Sequence, residues 1–367
     1  MPVLSTVPRT VMLSPSSSLP ARTTFKPVTV TSSCTPFRQS ELSVELPTRC
    51  PRASGLITTV IVNGATFECF EKNVPDHVPL TSAAACCVVP EADEVPAELA
   101  LDDTIDALGG TFSYPFAYGY ACVGEVAESG QAVFAFHPHQ DVFAARAGEL
   151  IRLPPFDPAS ATLLPLVETA LQVTLDAGAG YRDRVIVLGA GVLGLLTGLL
   201  LQRSGWRPLI AEPQAWRRAM ASSLGATTAA PEELVKEQVP LVIDASGNPD
   251  APAMALNLLA HEGTLLIASW FGTKPVALPL GGAFHRRRLI IRSTQVSTVP
   301  TRLSGTWTRS RRRRESVELM AELPLAQLCT HVFAFGHAAE AFRAVDQGIP
   351  GLMHAVLDYD RSAAGGL

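Results

Sequence analysis

The segment RVIVLGAGVLGLLTGLLLQ, which starts at Arg184, constrains the fold of this chain more than any other stretch. Residues 185–201 contain one clearly polar side chain, Thr197, yet these 17 residues fall short of the roughly 20 that a bilayer-spanning helix needs. The first part, VIVL, is a β-branched apolar run typical of a strand buried on both faces, and glycines then lead into a helix-like run. The segment therefore predicts strand, turn and helix, and it argues against a membrane span.

The glycines of this segment, Gly189, Gly191 and Gly194, have the spacing G-x-G-x-x-G between a predicted strand and a predicted helix. In such a motif the first glycine allows a tight turn, the second lets a pyrophosphate approach the backbone, and the third lets helix and strand pack closely. The N–H groups of Val192 and Leu193 at the helix start are expected to face the phosphates. The motif predicts a dinucleotide site; a purely structural βαβ turn is the alternative.

A second apolar strand, PLIAE, ends at Glu212, at the distance of about 20 residues where an acid accepts hydrogen bonds from the adenosine ribose. The charge of Glu212 would repel a 2′-phosphate, which favours NAD over NADP. Arg217 and Arg218 follow closely, and their positive charges could reverse this preference, so NADP is kept as the alternative coenzyme.

Two further apolar strands end in LVIDASGN and in TLLIASW. Ligands of α/β sheets collect outside the carboxyl ends of the strands. We therefore expect Ser246 and Gly247 to border the adenosine or its ribose, and Ser269 and Trp270 to lie near the nicotinamide half. Lys274, in the loop that follows, is a candidate electrostatic contact, with an ordinary exposed lysine as the alternative.

Apolar strands alternate with helices from about residue 159 to 298, which predicts an open, mostly parallel, doubly wound sheet. This unit, together with Gly119, Gly124 and Glu125 in YPFAYGYACVGEV and the closing HVFAF…AVLDY, resembles the medium-chain dehydrogenase/reductase superfamily over roughly residues 94–360.

The resemblance implies an α/β fold in which a Rossmann doubly wound parallel sheet is inserted into a GroES-like irregular β-barrel. The implied catalytic domain covers residues 55–158 and returns at 299–362, around a cofactor domain at 159–298. It also implies an enzyme, an NAD(P)-dependent oxidoreductase acting on a small-molecule substrate. The N-terminal part of the barrel is poorly matched.

Zinc-using members of this superfamily carry Gly-His-Glu where this chain has Gly119, Tyr120 and Ala121. Neither Tyr nor Ala replaces an imidazole and its carboxylate neighbour as ordinary zinc ligands. The position of a further zinc cysteine reads LLPLVETAL, and the four-cysteine zinc lobe is missing. We therefore expect no metal, which narrows the resemblance to the zinc-independent branch, with its quinone reductases and bacteriochlorophyllide-dehydrogenase-like proteins.

Without a metal, the reacting oxygen needs a hydroxyl, imidazole or ammonium partner. Tyr120 occupies the vacated histidine position and is one candidate, with a core tyrosine as the alternative. His139 in FAFHPHQ, a second candidate, would line the cleft or serve as a structural histidine. Glu168 in PLVETAL is an acid–base candidate because a carboxyl group is costly to bury in an apolar stretch; a carboxylate at a helix N-terminus is the alternative.

Composition excludes some partners. A net charge of −5 with 47% apolar residues gives no pull toward nucleic acid or anionic membrane. The run RSRRRRE, from Arg309 to Glu315, is interpreted as a solvated helix start rather than a nucleic-acid site, since no aromatic platform accompanies it.

Seven cysteines without a CxxC pair indicate a reducing, cytoplasmic compartment. The strand LIIRSTQVS could pair two copies into a homodimer.

Residues 1–54 differ from the rest in composition. The first forty contain no Asp or Glu and many Ser, Thr and Pro. Such a segment cannot bury enough apolar surface to offset its ordering entropy. We expect disorder, an organellar targeting segment, or a misassigned start.

The function predicted from these features is hydride transfer between the nicotinamide and a carbonyl or alcohol carbon, without zinc. Two alternatives remain open: an enone or quinone reductase of the same superfamily, and a non-catalytic cofactor-binding protein with an incomplete barrel.

Overall fold

The computed structural model describes residues 4–7, 10–13, 111, 119–126, 129–139, 142–234 and 237–359. Its strands are β1 (Leu4–Val7), β2 (Thr10–Leu13), β3 (Cys122–Glu125), β4 (Ala132–Ala135), β5 (Val142–Ala145), β6 (Ile151–Arg152), β7 (Arg184–Leu188), β8 (Arg207–Ala211), β9 (Thr228–Ala229), β10 (Val239–Asp244), β11 (Leu259–Ile267), β12 (Ile290–Ser293), β13 (His331–Ala334) and β14 (Ala355–Asp358). Its α-helices are α1 (Pro158–Ala161), α2 (Leu164–Ala177), α3 (Val192–Arg203), α4 (Ala215–Ser223), α5 (Ala251–Leu258), α6 (Arg309–Met320), α7 (Leu325–Leu328) and α8 (Ala338–Asp346).

Strands β7 to β12 form one parallel sheet in the order β12-β11-β10-β7-β8-β9. Counted from β7 as strand 1, this is the order 3-2-1-4-5-6 of dinucleotide-binding sheets. The strand order reverses between β7 and β10, so a crevice opens outside the carboxyl ends of these two strands. The predicted Rossmann sheet is confirmed, and each of its apolar runs forms a strand.

Strand β7 lies at the centre of this sheet. After Arg184 its residues are apolar and buried, whichever face of the sheet they point to. Val185 and Val187 belong to one buried apolar cluster, and Ile186 and Leu188 belong to another. Since successive side chains of a strand point to opposite faces, each face of β7 packs against its own layer of helices and strands. The VIVL run could not serve as an edge or surface strand without exposing half of this apolar surface.

A second sheet has the order β13-β14-β1-β3-β4-β6, and β2 pairs with β5 in a short ribbon. Strands β13 and β14 follow the Rossmann sheet in the sequence but share a sheet with β3, β4 and β6, which precede it. The chain therefore leaves this domain after β6 and returns to it at β13. This arrangement confirms a Rossmann unit inserted into a second, GroES-like domain.

Strands β1 and β2 fall inside the segment 1–54, for which disorder, targeting or a misassigned start is expected. Their sequences, LSTV and TVML, combine β-branched and apolar residues, and β1 pairs in parallel with both β14 and β3. The structure thus differs from expected disorder for these eight residues. The expectations for residues 14–110 lie outside the described residues.

No α-helix in the described residues combines the length and the apolar character that crossing a bilayer requires.

Candidate functional site

The turn after β7 is built from glycine at positions where a side chain would not fit. Gly189 has φ +98°, and a Cβ atom there would lie 2.8 Å from the carbonyl oxygen of Ala245, which follows β10. A Cβ atom on Gly194 would overlap the carbonyl oxygen of Gly189. The first and third glycines therefore allow the tight turn and the close approach of α3, as the spacing predicts.

Gly191, the second glycine, has room for a side chain instead. The nearest atom to a Cβ added at this position is Nη1 of Arg217, at 3.6 Å. Helix α3 begins at Val192, directly after Gly191. The first N–H groups of a helix, here those of Val192, Leu193 and Gly194, have no intrahelical acceptor, so they give this open side a positive potential.

Glu212, at the end of β8, is fixed beside this turn. Its side chain is 5% exposed. Oε2 accepts a hydrogen bond from the backbone N of Ala190 at 2.9 Å, and Oε1 accepts one from the backbone N of Gln214 at 2.9 Å. The acid predicted from the sequence thus lies against the glycine turn, and two main-chain donors hold its orientation.

The two arginines after Glu212 differ in what they contact. Nη1 of Arg218 donates to the carbonyl oxygens of Glu212 at 2.6 Å and Pro213 at 2.7 Å, so this guanidinium caps the end of β8. Arg217 lies over the ring of Trp216, with Cζ 5.1 Å from the ring centroid, and extends toward Gly191. Arg217 is therefore the arginine placed to meet an anion on the glycine turn.

Across the crevice, the ends of β10 and β11 are joined by hydrogen bonds. The hydroxyl and N–H groups of Ser246 donate to Oδ1 of Asp244, at 2.6 and 3.1 Å. The N–H group of Gly247 donates to Oγ of Ser269 at 2.9 Å. Ser246, Gly247 and Ser269, predicted independently from two strand ends, are thus brought together.

Asp244 itself was not among the predicted site residues. It is fully buried, and desolvation raises the pKa of its carboxyl group, against the opposing effect of the hydrogen bonds from Ser246. The signal for it was the acid inside the apolar run LVIDASG, because an acid there is buried only at the cost of desolvation.

Trp270 and Lys274 lie in the segment after β11. The side chain of Trp270 is 48% exposed. Lys274 is half-buried, and its backbone N donates to the carbonyl oxygen of Phe271 at 3.0 Å in a turn.

Tyr120 immediately precedes Ala121 and β3 in the second domain. It is half-buried, and its ring stacks on that of Phe136 with centroids 6.3 Å apart and an interplanar angle of 17°. Burial raises the pKa of the phenol above its ordinary value, so Tyr120 keeps its proton at neutral pH and remains a hydrogen-bond donor.

His139 is a buried residue. It is 1% exposed, and its imidazole packs against Gly119, where an added Cβ atom would overlap the ring. Gly119 has φ +91°, so the chain bends around the histidine. This buried position favours the structural alternative, and a cleft position for His139 stays a prediction.

Glu168 forms ion pairs with two arginines, Arg312 and Arg313. It lies in α2 and is buried, and Oε1 accepts hydrogen bonds from Nε and Nη2 of Arg312 at 3.2 and 3.1 Å. Oε2 faces Nε of Arg313 at 3.4 Å. Both carboxylate oxygens thus face guanidinium groups, and the acid–base role of Glu168 stays a prediction.

The arginine run contains the partner that sequence reasoning missed. Helix α6 begins at Arg309 as predicted, and the side chain of Thr308 caps it by accepting from the N–H group of Arg311. Arg312, however, is 2% exposed and also donates to Oε1 of Gln172. Consecutive residues of a helix point in different directions, so a run of arginines at a helix surface turns one of them inward.

In the described parts of the chain, no group of three or more His, Cys, Asp or Glu side chains is arranged to hold a metal ion.

The chain is similar to 5-exo-hydroxycamphor dehydrogenase from Pseudomonas putida, with 30% identity over 201 residues, which are 49% of this chain and 51% of that protein. The chain thus spans about half the length of this curated relative. No family model matches the chain.

Solved structures resemble the fold more extensively. The 2R,3R-butanediol dehydrogenase from Bacillus subtilis superposes with a TM-score of 0.54 at 16% identity, over 72% of this chain and 85% of that one. A short chain alcohol dehydrogenase from E. coli CFT073, complexed with NADH, superposes with a TM-score of 0.52 at 16% identity, over 63% of this chain and 77% of that one. At these identities the likeness shows the fold, and it agrees with the inserted Rossmann sheet.

Proposed function

We propose that this chain is a medium-chain dehydrogenase/reductase, an NAD(P)-dependent oxidoreductase that moves hydride between the nicotinamide and a carbonyl or alcohol carbon. The observation that carries the proposal is the turn at Gly189, Gly191 and Gly194. The backbone is too tight for a side chain at Gly189 and Gly194 but has room for one at Gly191, and the turn lies at the strand reversal of a 3-2-1-4-5-6 sheet.

The residues around this turn fit a dinucleotide. The N–H groups of Val192 and Leu193 and the bare backbone of Gly191 would hold the pyrophosphate. The carboxylate of Glu212 would accept hydrogen bonds from the adenosine ribose. Ser246, Gly247, Ser269 and Trp270 would border the remainder of the coenzyme, with Lys274 near the nicotinamide half. When bound, the nicotinamide supplies or accepts the hydride; the protein contributes orientation and exclusion of water.

We propose NAD as the preferred coenzyme. The carboxylate of Glu212 is buried and held by two main-chain donors, so it would remain in place and repel a 2′-phosphate. Arg217 is the group that opposes this preference, because its guanidinium reaches the open side of the glycine turn. NADP therefore stays as the alternative coenzyme, and Arg217 is the residue on which it depends.

We also propose that the reaction proceeds without zinc and that Tyr120 serves the reacting oxygen. Tyr120 and Ala121 occupy the places of two zinc-ligand positions, and neither side chain is an ordinary zinc ligand. The half-buried phenol keeps its proton at neutral pH and can donate a hydrogen bond to a carbonyl oxygen as that oxygen gains charge. The proposal does not assign this role to His139, which packs against Gly119, or to Glu168, which pairs with Arg312.

The test is turnover of a panel containing ketones, aldehydes, secondary alcohols and enones, with NADH and NADPH or their oxidised forms, and with products identified. We expect interconversion of carbonyl and alcohol. Tyr120→Phe removes only the hydroxyl and should lower kcat by about 10²-fold or more, as loss of one catalytic donor does. Tyr181→Phe is the matched control, because Tyr181 is 87% exposed.

Reduction of the enone double bond alone would contradict the proposed reaction and favour the reductase alternative. Coenzyme binding without turnover of any panel member would favour the non-catalytic alternative. Full activity in Tyr120→Phe would remove Tyr120 from the mechanism.

A further inference from the structure

Helix α6 brings one partly exposed guanidinium, that of Arg313, to the side of the Tyr120–Phe136 pair. Cζ of Arg313 lies 4.8 Å from the centroid of the Phe136 ring, and Phe136 stacks on Tyr120. The side chain of Arg313 is 39% exposed. The proposed reaction uses Tyr120 and the coenzyme, and it assigns no role to this cation.

The charges around Arg313 do not balance. Arg312 and Arg313 both pair with one carboxylate, that of Glu168. Arg312 takes the stronger share, because it is buried and makes two contacts to Oε1. Within the described residues, the contact of Arg313 with Glu168 uses Nε alone, so its terminal Nη1 and Nη2 atoms remain for another acceptor.

The group of Glu168, Arg312 and Arg313 by itself therefore carries one excess positive charge, and Arg313 is its partly exposed member. Glu168 on one side and the Phe136 ring on the other limit the movement of Arg313. A guanidinium held in this way is already oriented for the two parallel hydrogen bonds that a carboxylate accepts.

We propose that Arg313 binds the carboxylate of an amphipathic substrate whose carbonyl or alcohol group lies at Tyr120 and whose flat apolar body lies along Phe136. This inference rests on the proposed function of the site and names its substrate class. Arg313 is in this view a specificity-determining residue, and Glu168 is a positioning residue that acts through it.

The experiment compares para-acetylbenzoate with its neutral counterpart para-acetylbenzamide, in reduction by the coenzyme-loaded enzyme. Both probes carry the same ketone and ring, and they differ in charge at the far end. We expect the wild type to prefer the carboxylate in kcat/KM by about tenfold or more, mainly through KM, because a charge-assisted pair is lost with the amide. Arg313→Gln should abolish this preference, and Arg313→Lys should keep part of it.

Arg314→Gln is the matched control. It removes the same charge at the neighbouring position, where the Arg314 side chain is 64% exposed. It should keep the full preference. Dissociation constants of benzoate and benzamide, measured by saturation-transfer NMR, repeat the comparison without turnover. Tm of each variant checks that the fold is retained.

An equal preference in Arg313→Gln and the wild type, or an equal loss in Arg314→Gln, would overturn the inference. So would the absence of any carboxylate preference in a wild type that binds the coenzyme and reduces the amide. Absence of coenzyme binding would be a different result, since it removes the proposed function as well.

Discussion

Loss of one member of the buried pair between Glu168 and Arg312 is expected to destabilise the protein strongly. The two side chains are 3% and 2% exposed, and they are 144 residues apart in the sequence. Removing one partner of such a pair costs about 3–5 kcal/mol, because the other charge stays buried without compensation. The whole free energy of unfolding of a natural protein is about 5–15 kcal/mol.

The contacts of each partner rank the two single variants. In Glu168→Leu, Arg312 loses its carboxylate and keeps Gln172 and the carbonyl oxygens of Val296 and Thr298, so a full charge remains buried among neutral acceptors. In Arg312→Met, the carboxylate of Glu168 can still pair with Arg313. We therefore expect Glu168→Leu to cost more than Arg312→Met. The double variant should cost less than the sum of the singles by about 2 kcal/mol.

Urea unfolding followed by tryptophan fluorescence measures these costs as midpoints and slopes. Arg314→Met serves as the exposed control and should change stability by about 0.5 kcal/mol or less. Single-variant costs below about 1 kcal/mol, or costs that simply add in the double variant, would refute the argument that a desolvated charge dominates here.

Three further predictions concern the crevice. Gly194→Ala should lower stability by about 1–3 kcal/mol, since the new methyl group overlaps the carbonyl oxygen of Gly189; an unchanged Tm would contradict this packing. Asp244→Asn should flatten the pH dependence of stability. Burial raises the folded-state pKa of Asp244, so between the ordinary Asp pKa and the raised one the folded protein binds more protons than the unfolded protein. The stability of the wild type therefore falls as pH rises through this range. Thermal melts from acidic to neutral pH measure this slope, and equal slopes in both proteins would count against it. Arg217→Ala should weaken NADPH binding about tenfold and NADH binding less, by titration calorimetry; an equal loss for both would assign Arg217 to the pyrophosphate instead.

The cofactor half of the fold was predictable because its signals are local. Strands β7, β8 and β10 and the second half of β11 coincide with apolar runs, and the glycine spacing between β7 and α3 specifies the turn. The return of β13 and β14 to the second, GroES-like domain followed from the family resemblance rather than from the residues alone. Gly198, where a Cβ atom would come within 2.7 Å of Ile210, shows a close helix-to-strand approach that the motif does not mention.

The catalytic half was less predictable because its side chains depend on distant partners. In the sequence Glu168 is an isolated acid in an apolar stretch. Its partner Arg312 lies 144 residues further along the chain and is brought to it only by the fold. His139 is predicted from the sequence as a candidate for the cleft, whereas in the fold it is 1% exposed and its ring packs against Gly119. The burial of Arg312 within an arginine run depends on helix α2 packing against α6, which no local pattern encodes.

Titration calorimetry of NADH and NADPH with Gly191→Ala tests the central claim most directly. The backbone at Gly191 suits alanine, and the added Cβ atom has 3.6 Å to its nearest neighbour, so the fold should be unaffected. Gly148→Ala is the control, because a Cβ atom there would meet no other atom within 4 Å. We predict heat from at least one coenzyme with the wild type and with Gly148→Ala, and binding at least about tenfold weaker in Gly191→Ala at unchanged Tm. No heat from either coenzyme with the folded wild type, or equal affinity in Gly191→Ala, would contradict the account.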